Sequence, residues 1–326
     1  MMKRTRNRVI VLTLGLLGLL MIGFGFTAVA ATPNYQLTLT KGTEEYTVAQ
    51  YNDAAWKATV NPSSSPKEFF HGEANVIGAK SKQTVKGWVD TTFSTYQAML
   101  SLYFSLFEFG AWQLYMNNLS AAGYNEASIN DKYPNEYAVW SGISSEWWFT
   151  KGAYPETPNN TATPIVIMKN PSSYRSILDD CNAILKEIRN NPNVSLSIKF
   201  FFSPVNKTAD QFAWQLVKYG FGVASPSDNY LGTMVADLGC VNTTVSRSTL
   251  IFEKVGVTDY SIEVTYGSNG ILSTFVVKDA SDNIIYQITS SNSDWLFYTI
   301  LLSFIGVSVA LIIYVIVRKR KIRKSS

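Results

Sequence analysis

Apolar positions along residues 173–190 recur at the spacing of one helical face. Tyr174, Ile177, Leu178, Cys181, Ile184, Leu185 and Ile188 fall at intervals of three and four, which predicts an amphipathic helix with one buried stripe. Asn170-Pro171-Ser172 and Asn191-Pro192 punctuate its two ends. A shorter helix is predicted after Thr208, which stands at capping-box spacing from Gln211, with Gly220 as its C-cap. Beyond it the period changes to two. Segments 248–255, 259–266, 271–278 and 284–289 are rich in Ile, Val, Tyr and Phe, with turns at Gly267-Ser268-Asn269-Gly270 and Asp279-Ala280-Ser281-Asp282. That pattern predicts an antiparallel meander.

The most apolar stretch between the two ends of the chain is 90–118, which has no proline and reads as one long aromatic-rich helix. Its polar residues Ser94, Gln97, Ser101, Ser105 and Glu108 make a narrow stripe, so Glu108 is expected to be solvated. Segments 35–40 and 45–48 alternate and predict two strands turned at Lys41-Gly42, while 61–88 is polar, with Asn61-Pro62-Ser63-Ser64-Ser65-Pro66 as a loop. Short strands are expected at 137–140, 147–150, 165–168 and 195–200, and 121–135 is turn-rich.

Two uncharged runs lie at the ends. Residues 9–31 follow a basic start (Lys3, Arg4, Arg6, Arg8) and finish in Ala28-Val29-Ala30-Ala31, the layout of a signal peptide cut after about Ala30. Residues 295–317 are followed by Arg318-Lys319-Arg320-Lys321. At 1.5 Å per residue they reach roughly 34 Å, enough to cross a bilayer, and the basic tail 318–326 is expected to stay cytoplasmic. The predicted organisation is therefore a signal peptide (1–30), an ectodomain (31–294, as one unit or as subdomains 31–168 and 169–294), a single membrane span and a short tail. Reading 90–118 as a second span would put Cys181 and Cys240 in the cytosol and the basic tail outside, against the positive-inside rule.

Charge changes sign once the ends are set aside. Ten of the 28 basic residues lie in the first eight and last nine positions, leaving 18 against 24 acids in between. A net acidic ectodomain argues against nucleic-acid binding. Cys181 and Cys240 are the two cysteines, and on an exported domain they read as a disulfide that would stabilise the fold by roughly 4 kcal/mol. The alternative is a pair of free thiols. Asn-x-Ser/Thr sequons begin at Asn118, Asn159, Asn193, Asn206 and Asn242, all candidate glycosylation sites in an exported domain.

Candidate chemistry is sparse. One histidine, His71, leaves no ligand cluster for a metal site; a Ser–His–Asp hydrolase would have to use it, and no nucleophile elbow or glycine-rich phosphate loop occurs. No cofactor is predicted. Asp179-Asp180 and Glu44-Glu45 are adjacent acids that do not converge on one face, and the first pair is expected on solvated surface. Aromatic residues are dense at Trp140, Trp147, Trp148 and Phe149, where they fill a core or present a binding patch.

The plan of signal peptide, single ectodomain, C-terminal span and Arg/Lys stop, with Leu37-Thr38-Leu39-Thr40-Lys41-Gly42-Thr43 and Gly267-Ser268-Asn269-Gly270-Ile271-Leu272, resembles that of archaeal surface proteins of the Asgard type. The resemblance implies a membrane-anchored cell-surface protein and carries no activity or functional residue. The expected fold is α+β, an antiparallel curved sheet packed on the long aromatic-rich helix. Two functions fit a non-catalytic surface protein. In the first, sheet and helix enclose a groove for an apolar or lipid ligand, as in lipoprotein-carrier half-barrels, with Phe104, Phe107 and Trp112 lining it. In the second, the outer surface makes protein or glycan contacts in adhesion or an envelope complex. A cell-surface hydrolase stands third, and would show convergent carboxylates in a cleft.

Overall fold

The computed structural model describes residues 34–38, 41–104, 112–196, 199 and 206–291, with backbone alone at 104 and 112–116. The predicted signal peptide, the span 295–317 and the tail lie outside the described residues. Among those described, no helix is long and apolar enough to cross a membrane.

The fold is α+β, built on a curled antiparallel half-barrel of nine strands. In chain order they are β1 (Gly42–Tyr51), β2 (Lys80–Ser94), β3 (Glu136–Thr150), β4 (Asn160–Met168), β5 (Thr243–Ser246), β6 (Thr249–Val255), β7 (Asp259–Tyr266), β8 (Leu272–Asp279) and β9 (Ile284–Ser290). Their spatial order is β4-β3-β2-β1-β9-β8-β7-β6-β5. The first strand thus pairs with the last, Val48 opposite Ile288 and Tyr51 opposite Tyr286, and this ladder joins the two halves of the sheet. The meander forms as the alternation predicts, and its inner positions Phe252, Ile262, Val264, Val277, Tyr286 and Ile288 are almost fully buried.

Seven α-helices complete the described structure: α1 (Asp53–Thr59), α2 (Thr95–Ala98), α3 (Trp112–Ala121), α4 (Glu126–Lys132), α5 (Ser173–Asn190), α6 (Ala209–Lys218) and α7 (Ser227–Leu238). Helix α5 buries the seven residues its spacing singles out. In α6 the expected capping box is present, the Thr208 side chain accepting from the Gln211 amide and the Gln211 side chain accepting from the Thr208 amide. Trp214 of α6 then lies over the inner face of the meander, edge-on to Phe252 with ring centroids 5.1 Å apart.

Several expectations are corrected. The long helix is not continuous from residue 90. Residues up to Ser94 belong to β2, because Ser94 and Gln97 form a capping box that starts α2 at Thr95. A π-helical stretch, Met99–Phe104, follows α2. The carbonyls at its end are taken by α6 and by Lys207, two residues before it, with Gln215 Nε2 on Leu102 O at 2.9 Å and Lys207 Nζ on Tyr103 O at 2.6 Å. The polar segment 61–88 holds the first half of β2 beyond its loop, and residues 137–150 make one long strand instead of two short ones. Residues 35–38 make only a bridge from Gln36 to Ser225, so the expected hairpin is absent. At 195–200 the described residues Leu196 and Lys199 are helical, with the Lys199 amide donating to Ser195 O at 3.0 Å. Glu108 lies outside the described residues.

The expected disulfide is also corrected, since both cysteines are free. Cys181 is buried on the inner face of α5, beside Asp180 and Lys207, and burial pushes its thiol pKa up. Cys240 follows α7, where Asp210 accepts the amides of Val241 and Asn242 at 3.1 and 3.0 Å. Burial and Asp210 push its thiol up to about 12. The two side chains occupy different surroundings and do not approach one another.

Candidate functional site

The half-barrel encloses a cavity of about 690 Å³, within the range of small-molecule sites. Its floor is the inner face of the sheet, including Tyr46, Val264, Tyr266, Phe275 and Ile288, and its roof is the 67–71 loop, Leu102 and residues 214–221. One part is aromatic. Phe70 meets Phe275 edge-on at 4.9 Å and Phe149 at 5.9 Å, while Phe69 meets Trp214 at 5.6 Å. Ring contacts of this kind fix the wall and leave its surface apolar.

A strap from Tyr219 to Ser225 closes one side. The Val223 amide donates to Gly270 O at 2.8 Å, and Gln36 and Ser225 exchange backbone hydrogen bonds at 2.9 Å. The fit is close: a Cβ at Gly222 would lie 2.7 Å from Ile167 Cδ1, and one at Gly270 only 2.1 Å from Val223 O. Gly270 also has φ +78°, which side chains seldom adopt.

The other part of the wall is polar, and strand register puts it there. Glu44 of β1 lies directly opposite Gln83 of β2, and Gln83 opposite Glu146 of β3. Strand spacing therefore sets the two glutamates about 10 Å apart at Cα on one face. Gln83 Nε2 donates to Ser144 Oγ at 3.0 Å and to Glu146 Oε1 at 3.4 Å. Asn269 Nδ2 donates to Glu44 Oε1 at 2.7 Å. Glu146 is half-buried on the cavity wall, and burial holds its carboxyl above the ordinary glutamate range, offset in part by Thr163 and His71. Tyr46 shares this neighbourhood: burial raises its phenol, and the charges of Glu44 and Glu146 raise it further. The register shifts between Lys80 and Lys82, Val85 and Gly87, and Ser144 and Glu146 bend the strands at this level, as bulges beside binding sites do.

At the edge of the cavity the His71 ring stacks on Trp148, centroids 4.8 Å apart, and Trp148 is 41% exposed. The Lys82 ammonium lies over Trp147 at 3.9 Å and Tyr154 at 4.9 Å. Trp147 Nε1 donates to Pro155 O at 3.1 Å.

The sequence-predicted residues fall as follows. Phe107 and the side chains of Phe104 and Trp112 lie outside the described residues, although Ser101 and Leu102 of the same segment line the cavity. The sequon asparagines 118, 159, 193, 206 and 242 are all exposed. Asp179 pairs with Arg175 at 2.8 Å on the surface, but Asp180 accepts from Tyr137 Oη at 2.9 Å and Asn135 Nδ2 at 2.8 Å, tying α5 to β3. Among the described residues no group of His, Cys, Asp and Glu could hold a metal ion. Sequence pattern assigns no element to Gln83 or Glu146, and it places His71 in a loop without showing that the loop roofs a cavity. Comparison with protein families, curated proteins and solved structures finds no match to this chain.

Proposed function

We propose that the protein is a non-catalytic binding protein for an amphiphile with an alkyl chain, held at the cell surface by the span predicted at 295–317. The observation that carries this reading is the cavity inside the half-barrel, walled by Phe70, Trp214, Tyr266, Phe275 and Ile288 on its apolar side. Burying each methylene of a chain there is worth about 0.8 kcal/mol, so a chain of about twelve carbons supplies roughly 10 kcal/mol before the costs of ordering. The adhesion alternative rests on exposed aromatic surface near Trp147 and Trp148, where only Trp148 stands out and Trp147 is covered by Lys82. A hydrolase would need a second carboxylate converging with Glu146, whereas Glu44 is 5% exposed and does not line the cavity, and Glu68 belongs to the exposed rim of the roof.

The test is retention of ligand. Full-length protein purified in mild detergent is extracted with organic solvent, and the extract is read by mass spectrometry beside that of Val217→Trp, in which an indole fills the cavity. A single amphiphile species held in near-equal amount to protein by the wild type and lost from the variant is expected. Identical extracts from both proteins would remove the reading, because lipid around the span is common to the two.

A further inference from the structure

Resting on that reading, we infer that the cavity selects an amphiphile whose head donates hydrogen bonds, a primary ammonium above all, and rejects anionic heads. What the polar wall still offers a ligand decides the head group. At this level the ionisable side chains of β1–β3 are Glu44, Tyr46 and Glu146, with Gln83, Ser144 and Thr163 around them. The amide donors near these acids are spent, Gln83 on Ser144 and Glu146 and Asn269 on Glu44. The wall keeps the hydroxyls of Tyr46 and Thr163, and the charge it presents to the cavity is that of an acceptor, the carboxylate of Glu146.

The lysines do not reverse this. Lys82 also lines the cavity, but its ammonium is held over the rings of Trp147 and Tyr154. Lys67 and Lys218 contribute to the wall as exposed residues, where water screens them. An anionic head beside Glu146 would meet a like charge in a half-buried setting, whereas an ammonium would form a charge-assisted hydrogen bond. The chain of the same ligand would lie against Phe70 and Phe275, and the head and tail contacts together orient it.

The experiment uses full-length protein in phosphatidylcholine vesicles and three photoreactive twelve-carbon probes, each with a diazirine at mid-chain, ending in an amine, an alcohol or a carboxylic acid. Modified peptides are mapped by mass spectrometry and normalised to labelling of the lipid. The expected result is labelling of peptides carrying residues 69–71 and 266–275, at least tenfold stronger for the amine than for the acid. In Glu146→Gln that ratio should fall below about threefold. Equal or stronger labelling of the same peptides by the acid overturns the head selectivity and leaves the carrier reading standing. Absence of cavity labelling with all three probes overturns both. The contrast among probes is read on the wild type, so a poorly folding Glu146→Gln does not decide the matter.

Discussion

Strands β6–β9 and strands β1–β3 belong to one sheet, yet their inner faces do different work. On the meander, Phe252, Ile262, Val264, Phe275 and Tyr286 are all 2% exposed or less, and Trp214 packs down among them. Pairing runs almost without interruption, with one register shift between β7 and β8 and one between β8 and β9. On β1–β3 the corresponding face carries Glu44, Gln83 and Glu146, and the β2–β3 ladder shifts register twice. A wall of that kind cannot collapse onto a helix, because stripping water from a carboxylate without a partner is costly. The meander therefore supplies core and the apolar floor of the cavity, and β1–β3 supply its polar wall.

Truncation should separate the two halves most strongly. Phe252→Ala removes a fully buried ring from the meander and is expected to cost about 4 kcal/mol. Gln83→Ala, on the polar wall, should cost less than about 1 kcal/mol, since it loses one good hydrogen bond at a site water can enter. Urea unfolding of the two variants checks this, and similar losses would mean that the polar wall is core after all. The strap gives an intermediate effect. Gly270→Ala forces a Cβ against Val223 O at a positive φ and should cost roughly 2 kcal/mol, within the range for stored backbone strain.

The polar wall should also carry a stability cost that depends on pH. Glu146 has its folded pKa raised above the ordinary 4.5 by burial, with Glu44, Tyr46 and His71 as its ionisable neighbours. Below pH 4.5 the carboxyl is protonated in both folded and unfolded chains and exacts nothing. As pH rises from 4.5 through the raised folded value, the unfolded state releases its proton first, and stability falls. Glu146→Gln is therefore expected to be more stable than wild type at pH 7 and to lose that part of the slope, measured by thermal unfolding at pH 4, 5.5 and 7. Lower stability of the variant at pH 7 would show instead that the charge is needed by the fold. A stabilising substitution at a wall position is what a site kept for binding predicts.

The same division decides how much was legible in the sequence. The meander, α5 and α6 could be read because one face is apolar and the other polar, so period alone reports them. Strand β2 was invisible by that criterion: Lys80-Ser81-Lys82-Gln83-Thr84 is polar on both faces, because the inner one lines the polar wall. The start of α2 was legible and missed, since Ser94-Thr95-Tyr96-Gln97 has the same Ser/Thr-x-x-Gln spacing as Thr208 to Gln211. The apolar run after it hid the boundary. Helix α7 was unpredicted although its buried Tyr230, Leu231, Met234, Val235 and Leu238 follow helical spacing. Glu146 could not have been identified as a site residue, because its partners come from β1, β2, β4 and a loop some 75 residues earlier.

The smallest effect expected concerns what joins the halves. Cys181 sits on α5, which Asp180 ties to β3, and Cys240 leads through Asn242 into β5 at the far edge of the meander. A bridge between them would have stapled the two regions, whereas free thiols leave that task to the β1–β9 ladder and the shared core. Two thiols should then react with a maleimide when the chain is denatured without reductant. In the native state Cys181 should be unreactive, since burial keeps it from water and from the thiolate form. Cys240→Ser should shift stability by no more than about 0.5 kcal/mol, the scale of a change outside the packed core. A denatured chain with no reactive thiol would restore the covalent bridge. The contrast between an apolar half and a polar half would then have to be drawn on a stapled molecule, in which opening of the cavity is limited by the α5–β5 connection.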